Sequence, residues 1–166
     1  MEFNLLITAL AALIPLVIGF IWYNPKVFGN AWMKASGLTE ERLKSGNMFL
    51  IFLLTYVFSF LIAIFMTTTV IHQFGLFQTL MNDPDLLVEG TETYQYAQDF
   101  MTKYGSNFRT FKHGALHGTM AGLFMALPIL GINAMFERKG FKYIALNVGY
   151  WIVCLALMGG VICQFA

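Results

Sequence analysis

The chain has 166 residues, of which 58% are apolar and only 11% charged, whereas soluble domains are roughly half apolar and about a quarter charged. This is the composition of a membrane protein. Ten Lys and Arg nearly balance nine Asp and Glu, and a formal net charge of +1 leaves no basic footprint for nucleic acid; seventeen Phe and ten Met exclude a disordered chain, and two Cys exclude a disulfide scaffold.

The first element is an apolar stretch from Leu5 to Tyr23. At a rise of ~1.5 Å per residue, about 20 residues cross a ~30 Å hydrocarbon core. The flank Met1-Glu2-Phe3-Asn4 carries no Lys or Arg, so the stretch reads as a retained anchor and not as a signal peptide. After Trp22-Tyr23 comes Asn24-Pro25, an N-cap residue followed by the residue best suited to a first helical position. A short interfacial helix is predicted from there, with Val27, Phe28, Ala31 and Trp32 at helical spacing, Lys26 and Lys34 snorkelling, and Gly37 as its end. Thr39-Glu40-Glu41 opens a second helical turn, and Ser45-Gly46-Asn47 breaks the chain before a second span, Met48 to Ile71.

The long connection from Phe77 to Lys112 starts acidic and turn-rich, through Asp83-Pro84-Asp85 and Glu89-Gly90. Tyr94, Ala97, Met101 and Tyr104 then recur at helical spacing, which predicts an amphipathic helix over 93–104, capped by Gly105, that covers the bundle's outer face or rests on the bilayer. Spans three and four follow at Gly114 to Phe136 and Tyr143 to Phe165. Lipid satisfies no backbone N–H or C=O, so each span must be helical, with Pro15 and Pro128 as local kinks. The expected fold is therefore all-α, a single membrane domain over 1–166 built as a four-helix bundle. No repeat relates the two helical hairpins, which speaks against the repeat-built transporters. Seven Lys and Arg flank the connections after spans one and three, against three in the long connection. The positive-inside rule then places both termini and the acidic connection outside.

Polar groups gather at two places. His113 and His117 lie one helical turn apart at the start of span three, and His72 ends span two, so the topology delivers all three to the same face. Three imidazoles can make an open metal site. Interfacial histidines bonded to carbonyls and water, or a proton-handling group, fit the same pattern. On the other face Asn133 and Asn147 fall at similar depth, which predicts an interhelical hydrogen bond, and Trp22, Tyr23, Asn24, Glu137 and Arg138 arrive at the same level. That cluster reads as structural, with a lipid headgroup or a small ligand as its possible guests. Gly114, Gly118 and Gly122 form a ribbon of small residues that admits a closely packed helix, by default span four of the same chain. Cys154 and Cys163, nine residues apart, lie on opposite faces of their helix and cannot pair with each other. No nucleophile elbow, phosphate loop or dinucleotide fingerprint occurs, so neither an enzyme nor a cofactor is expected.

Trp22-Tyr23-Asn24-Pro25-Lys26-Val27-Phe28-Gly29, Trp32, Gly37-Leu38-Thr39-Glu40-Glu41, His117-Gly118, Asn133 to Arg138 and Asn147-Val148-Gly149-Tyr150 resemble an uncharacterised family of small bacterial four-helix membrane proteins, a domain of unknown function. The Trp-Tyr-x-Pro-x-x-Phe-Gly block is its most specific part, and the long acidic connection departs from it. The resemblance implies the fold and the bacterial cytoplasmic membrane, and brings no activity. Because most matching residues fall in the Asn147 cluster, it ranks that face above the histidines as a functional or assembly surface. The expected role is a non-enzymatic membrane protein, self-associating or accessory to a larger membrane assembly. The rival is a small oligomeric transporter or channel for a cation or metal with His72, His113 and His117 at its mouth. A metal-dependent enzyme would further need a carboxylate such as Asp99 or Glu92 folded back onto them.

Overall fold

The computed structural model describes residues 3–166 and contains no strand among them. Four helices are long and apolar enough to cross a membrane: Leu5–Trp22, Met48–Val70, Phe111–Phe136 and Phe141–Phe165. Span three starts a turn earlier than its apolar run because the Thr110 hydroxyl accepts the His113 N–H (3.3 Å) and caps the helix upstream. The spans alternate in direction. At one end the Asn4 amide donates to the Phe165 carbonyl (3.5 Å), joining the start of span one to the end of span four. At the other, the Trp22 indole donates to the Leu146 carbonyl (3.1 Å).

Span four is the axis of the bundle, half buried where span two is only 11% buried. The glycine ribbon explains why. A Cβ on Gly114 would strike the Gly159 carbonyl, one on Gly118 the Leu155 carbonyl, and one on Gly122 the side chain and Cα of Ile152. Spans three and four thus touch backbone to backbone, and the ribbon's partner lies in the same chain. Spans one and two close the bundle through Tyr150, whose hydroxyl donates to the Pro15 carbonyl (2.7 Å), and Tyr56, whose hydroxyl donates to the Ala9 carbonyl (3.3 Å).

Both prolines interrupt their helices as expected. Pro15 has no N–H for the Ala11 carbonyl, and span one divides into Leu5–Ala11 and Ile14–Trp22. In span three Pro128 follows a π-helical segment, Gly122–Ala126, which absorbs the missing bond in a wider turn. At that level an apolar groove of about 460 Å³ separates spans two and three, lined by Leu61, Phe65, Met125 and Ile129 and floored by Trp151.

The connection after span one differs from expectation. Helix does not begin at Pro25 but at Gly29, running Gly29–Ser36. The Asn24 side chain accepts from the Lys26 N–H (2.9 Å) and its carbonyl from Val27 and Gly29, so Asn24-Pro25 makes a tight turn before the helix. That turn needs Gly29, where a Cβ would collide with the Tyr23 carbonyl. Gly37 ends the helix at φ 76, Thr39 caps Glu40–Lys44, and the Asn47 side chain caps span two by accepting from Leu50 (3.1 Å).

In the long connection a six-residue helix, Phe74–Thr79, appears where none was expected. A 3-10 turn, Pro84–Leu87, precedes the amphipathic helix Glu92–Tyr104, which lays a buried Ala97 inward and packs on that turn. The Asp83 carboxylate ties the two together, accepting from the Thr93 hydroxyl (2.7 Å) and the Asp85 N–H (2.9 Å), and these bonds hold its carboxyl below the usual range. Gly105 caps the helix through its N–H to Met101, with a right-handed φ of −60 in place of the usual left-handed one.

Candidate functional site

The three histidines converge. His72 lies in the turn just after Ile71 closes span two, while His113 and His117 project from the first turns of span three. The His113 and His117 rings are 4.5 Å apart, and each lies 4.9 Å from the His72 ring. Nε2 of His72 and Nε2 of His113 are 2.9 Å apart, and one coordinating nitrogen from each of the three lies within 4.8 Å of the others. Metal–nitrogen bonds of about 2.0–2.1 Å in a tetrahedral site put the nitrogens ~3.3 Å apart. The His72–His113 pair is already near that spacing, and the nitrogen of His117 lies within 4.8 Å of both. His72 is exposed and the other two are half-buried, so the group is open on one side. Among the described residues no carboxylate or thiolate joins the group, and Glu92 and Asp99 are not part of it.

What surrounds the trio was not legible beforehand. Phe108, at φ 61, sets its ring edge-on to His72 (6.0 Å) and over His113 (5.0 Å). A bulky residue in the left-handed region is strained and persists only where its surroundings hold it. Here the Cys163 thiol donates to the Phe108 carbonyl (3.2 Å), and the Arg109 guanidinium donates to the carbonyls of Cys163 and Ala166 at the end of span four. Gln73 is buried and donates its amide to the carbonyls of Tyr104 and Asn107, each at 2.9 Å. A cavity of about 290 Å³ lies against this wall, lined by His72, Gln73, Phe100, Tyr104, Asn107 and Phe108. A glutamine directly after a span-ending histidine is the one sequence signal for this arrangement.

At the opposite end the predicted pairing of Asn133 with Asn147 gives way to a different bond set. The Asn147 amide turns back to the Tyr143 carbonyl (2.7 Å), and its oxygen accepts from the Tyr23 hydroxyl and the Trp32 indole, each at 3.3 Å. Asn133 is exposed. It shares with Glu137, Tyr143, Asn147 and Trp151 a cleft of about 140 Å³. Trp22 is spent on Leu146, Asn24 on the turn through Pro25, and Arg138 on ending span three at φ 60, where the Lys139 N–H reaches back to Ala134 (2.8 Å). Trp32, on the helix read as interfacial, turns its indole onto span four. Both cysteines are buried and unpaired.

Three membrane-length helices packed around a fourth, with a polar gathering at each end, define a helical membrane protein. Over residues 6–163 the chain matches the family described as Protein of unknown function (DUF1761), and it belongs to that family. No curated protein and no solved structure matches it.

Proposed function

We propose that this is a non-enzymatic, multi-pass membrane protein that holds one divalent transition-metal ion on His72, His113 and His117 and presents it to a partner subunit. The observation that carries the reading is the convergence of three imidazoles from two different spans, with coordinating nitrogens within 4.8 Å. Neutral imidazole suits zinc, copper, nickel and cobalt, and an all-nitrogen set disfavours magnesium and calcium. Three protein ligands leave a coordination position open. A second copy of the chain or an accessory partner fills it, so the metal reading and the assembly reading meet at one site. A path for the ion between spans three and four has no support, because they touch backbone to backbone, and the groove between spans two and three is lined by apolar side chains.

The bond pattern favours this end over the Asn147 cluster. There the polar atoms are largely spent on one another and on span ends, whereas the bond recorded at the imidazole nitrogens runs between two of the histidines themselves. Orientation follows from the distribution of Lys and Arg, which puts the histidine end outside a bacterial cytoplasmic membrane.

Native mass spectrometry and elemental analysis of the protein in lipid nanodiscs, after exposure to zinc, nickel, cobalt or copper and washing, test the reading. One ion per chain is expected. Loss of a supporting partner around a metal ligand costs about 10–100-fold in affinity, and His117→Ala, which removes a ligand itself, is expected to cost at least that. A wild-type protein that retains no metal, or a triple alanine variant that retains as much as wild type, overturns it.

A further inference from the structure

We propose that the metal state of the trio controls whether the long connection is latched to the bundle, with Gln73 as the latch; this rests on the metal-binding reading above. His72 and Gln73 are neighbours in the short turn between span two and the helix Phe74–Thr79. One side chain of the pair faces the other histidines. The next donates both amide hydrogens to the carbonyls of Tyr104 and Asn107, at the exit of the helix Glu92–Tyr104. The last carbonyls of a helix have no partner within it; that of Tyr104 accepts from the Asn107 N–H (3.0 Å), and Gln73 adds a second bond there and one to the Asn107 carbonyl beyond the helix.

The latched state carries two unfavourable features. The Gln73 side-chain oxygen is buried with no hydrogen-bond partner, which works against the latch. Phe108, one residue beyond Asn107, carries a strained backbone at φ 61 and rests its ring on His72 and His113. Two unfavourable features thus sit in the segment that joins the connection to the trio. A bound ion draws His72 onto His113 and His117, which fixes both the turn from which Gln73 projects and the surface on which Phe108 rests. Without that tie Gln73 links the turn to the connection while Arg109 and Cys163 still hold the segment to span four, and residues 104–110 open more often than with the ion bound. The helix Glu92–Tyr104, whose Tyr96 is exposed, then changes its attachment with metal occupancy, which is a signal a partner can read.

Hydrogen–deuterium exchange of the full chain in nanodiscs, with and without saturating zinc, reads the latch directly at the amides of 104–110. Zinc is expected to slow exchange there by about tenfold or more in the wild type and to leave His72→Ala unchanged. Gln73→Met keeps the bulk of the side chain and loses its donors; it is expected to bind one zinc per chain and to show no zinc-dependent protection. Zinc bound at one per chain with unchanged exchange in the wild type overturns the latch and leaves the metal reading standing. Absence of bound zinc overturns both. Zinc-dependent protection that survives in Gln73→Met also overturns the latch. The wild-type comparison decides the coupling even if that variant does not fold.

Discussion

Asn147 joins three parts of the chain with one side chain: it accepts from Tyr23 at the end of span one and from Trp32 in the helix Gly29–Ser36, and it donates to Tyr143 in its own span. Its replacement by leucine leaves a half-buried hydroxyl and a half-buried indole N–H without their acceptor, and such losses cost about 1–3 kcal/mol. A lowered thermal midpoint in detergent is expected for Asn147→Leu, and for Asn147→Asp as well, which keeps both acceptors but sets a carboxylate oxygen against the Tyr143 carbonyl that the amide served. Asn133→Ala, at an exposed position, is expected to leave the midpoint unchanged. Equal losses at the two asparagines would restore the interhelical pair that their matching depth predicts. The depth of both residues was legible because spans have fixed rise and known ends. The partners were not, because Trp32 reaches Asn147 only through the turn at Asn24-Pro25 and the close approach at Gly29, where a first-position proline reads equally well as a helix start.

At the scale of the helices, the glycine ribbon of span three decides how the bundle closes. Gly118 faces the backbone of Leu155 and Ala156, which cannot swing aside as a flexible side chain can. Gly118→Val is therefore expected to destabilise the span three–span four hairpin by at least the ~1–3 kcal/mol of ordinary overpacking. Gly75→Ala, with open space around its Cβ, serves as the control and is expected to be neutral or slightly stabilising. Thermal unfolding with light scattering in detergent reads both quantities that matter. A Gly118→Val protein with an unchanged midpoint and a smaller oligomer would show that the ribbon faces a second copy. The ribbon itself was visible as residue spacing, since small residues every fourth position fall on one helix face. Its partner was not, because the same spacing serves an intrachain helix and a symmetric dimer alike. The helix Phe74–Thr79 was not legible for a related reason: at six residues it is too short to display a period.

For the whole molecule, the open question of consequence is which compartment the histidine end faces, since that determines where metal would be met. Span ends and side-chain bonds put Asn4, His72, Arg109 and Phe165 at one end, and Trp22, Ser36 and Lys139 at the other. Seven of the ten Lys and Arg belong to the connections at the second end. Because Lys and Arg near span ends set orientation and Asp and Glu contribute little, the acidity of the long connection adds almost nothing to the argument. The count of basic residues does, and on it we propose that the second end faces inside. A membrane-impermeant maleimide applied to intact cells tests this with single substitutions, Asp85→Cys in the long connection and Lys139→Cys between spans three and four. The native cysteines need not be removed, because Cys154 and Cys163 are buried. Asp85→Cys is expected to label in intact cells, and Lys139→Cys only after the membrane is opened. The reverse pattern would turn the bundle over and move the trio to the cytoplasmic face. An open three-histidine site there would draw on the cell's internal metal pool and would compete with its metal-binding proteins and thiols. The same three side chains would then capture metal from the cell interior instead of from outside.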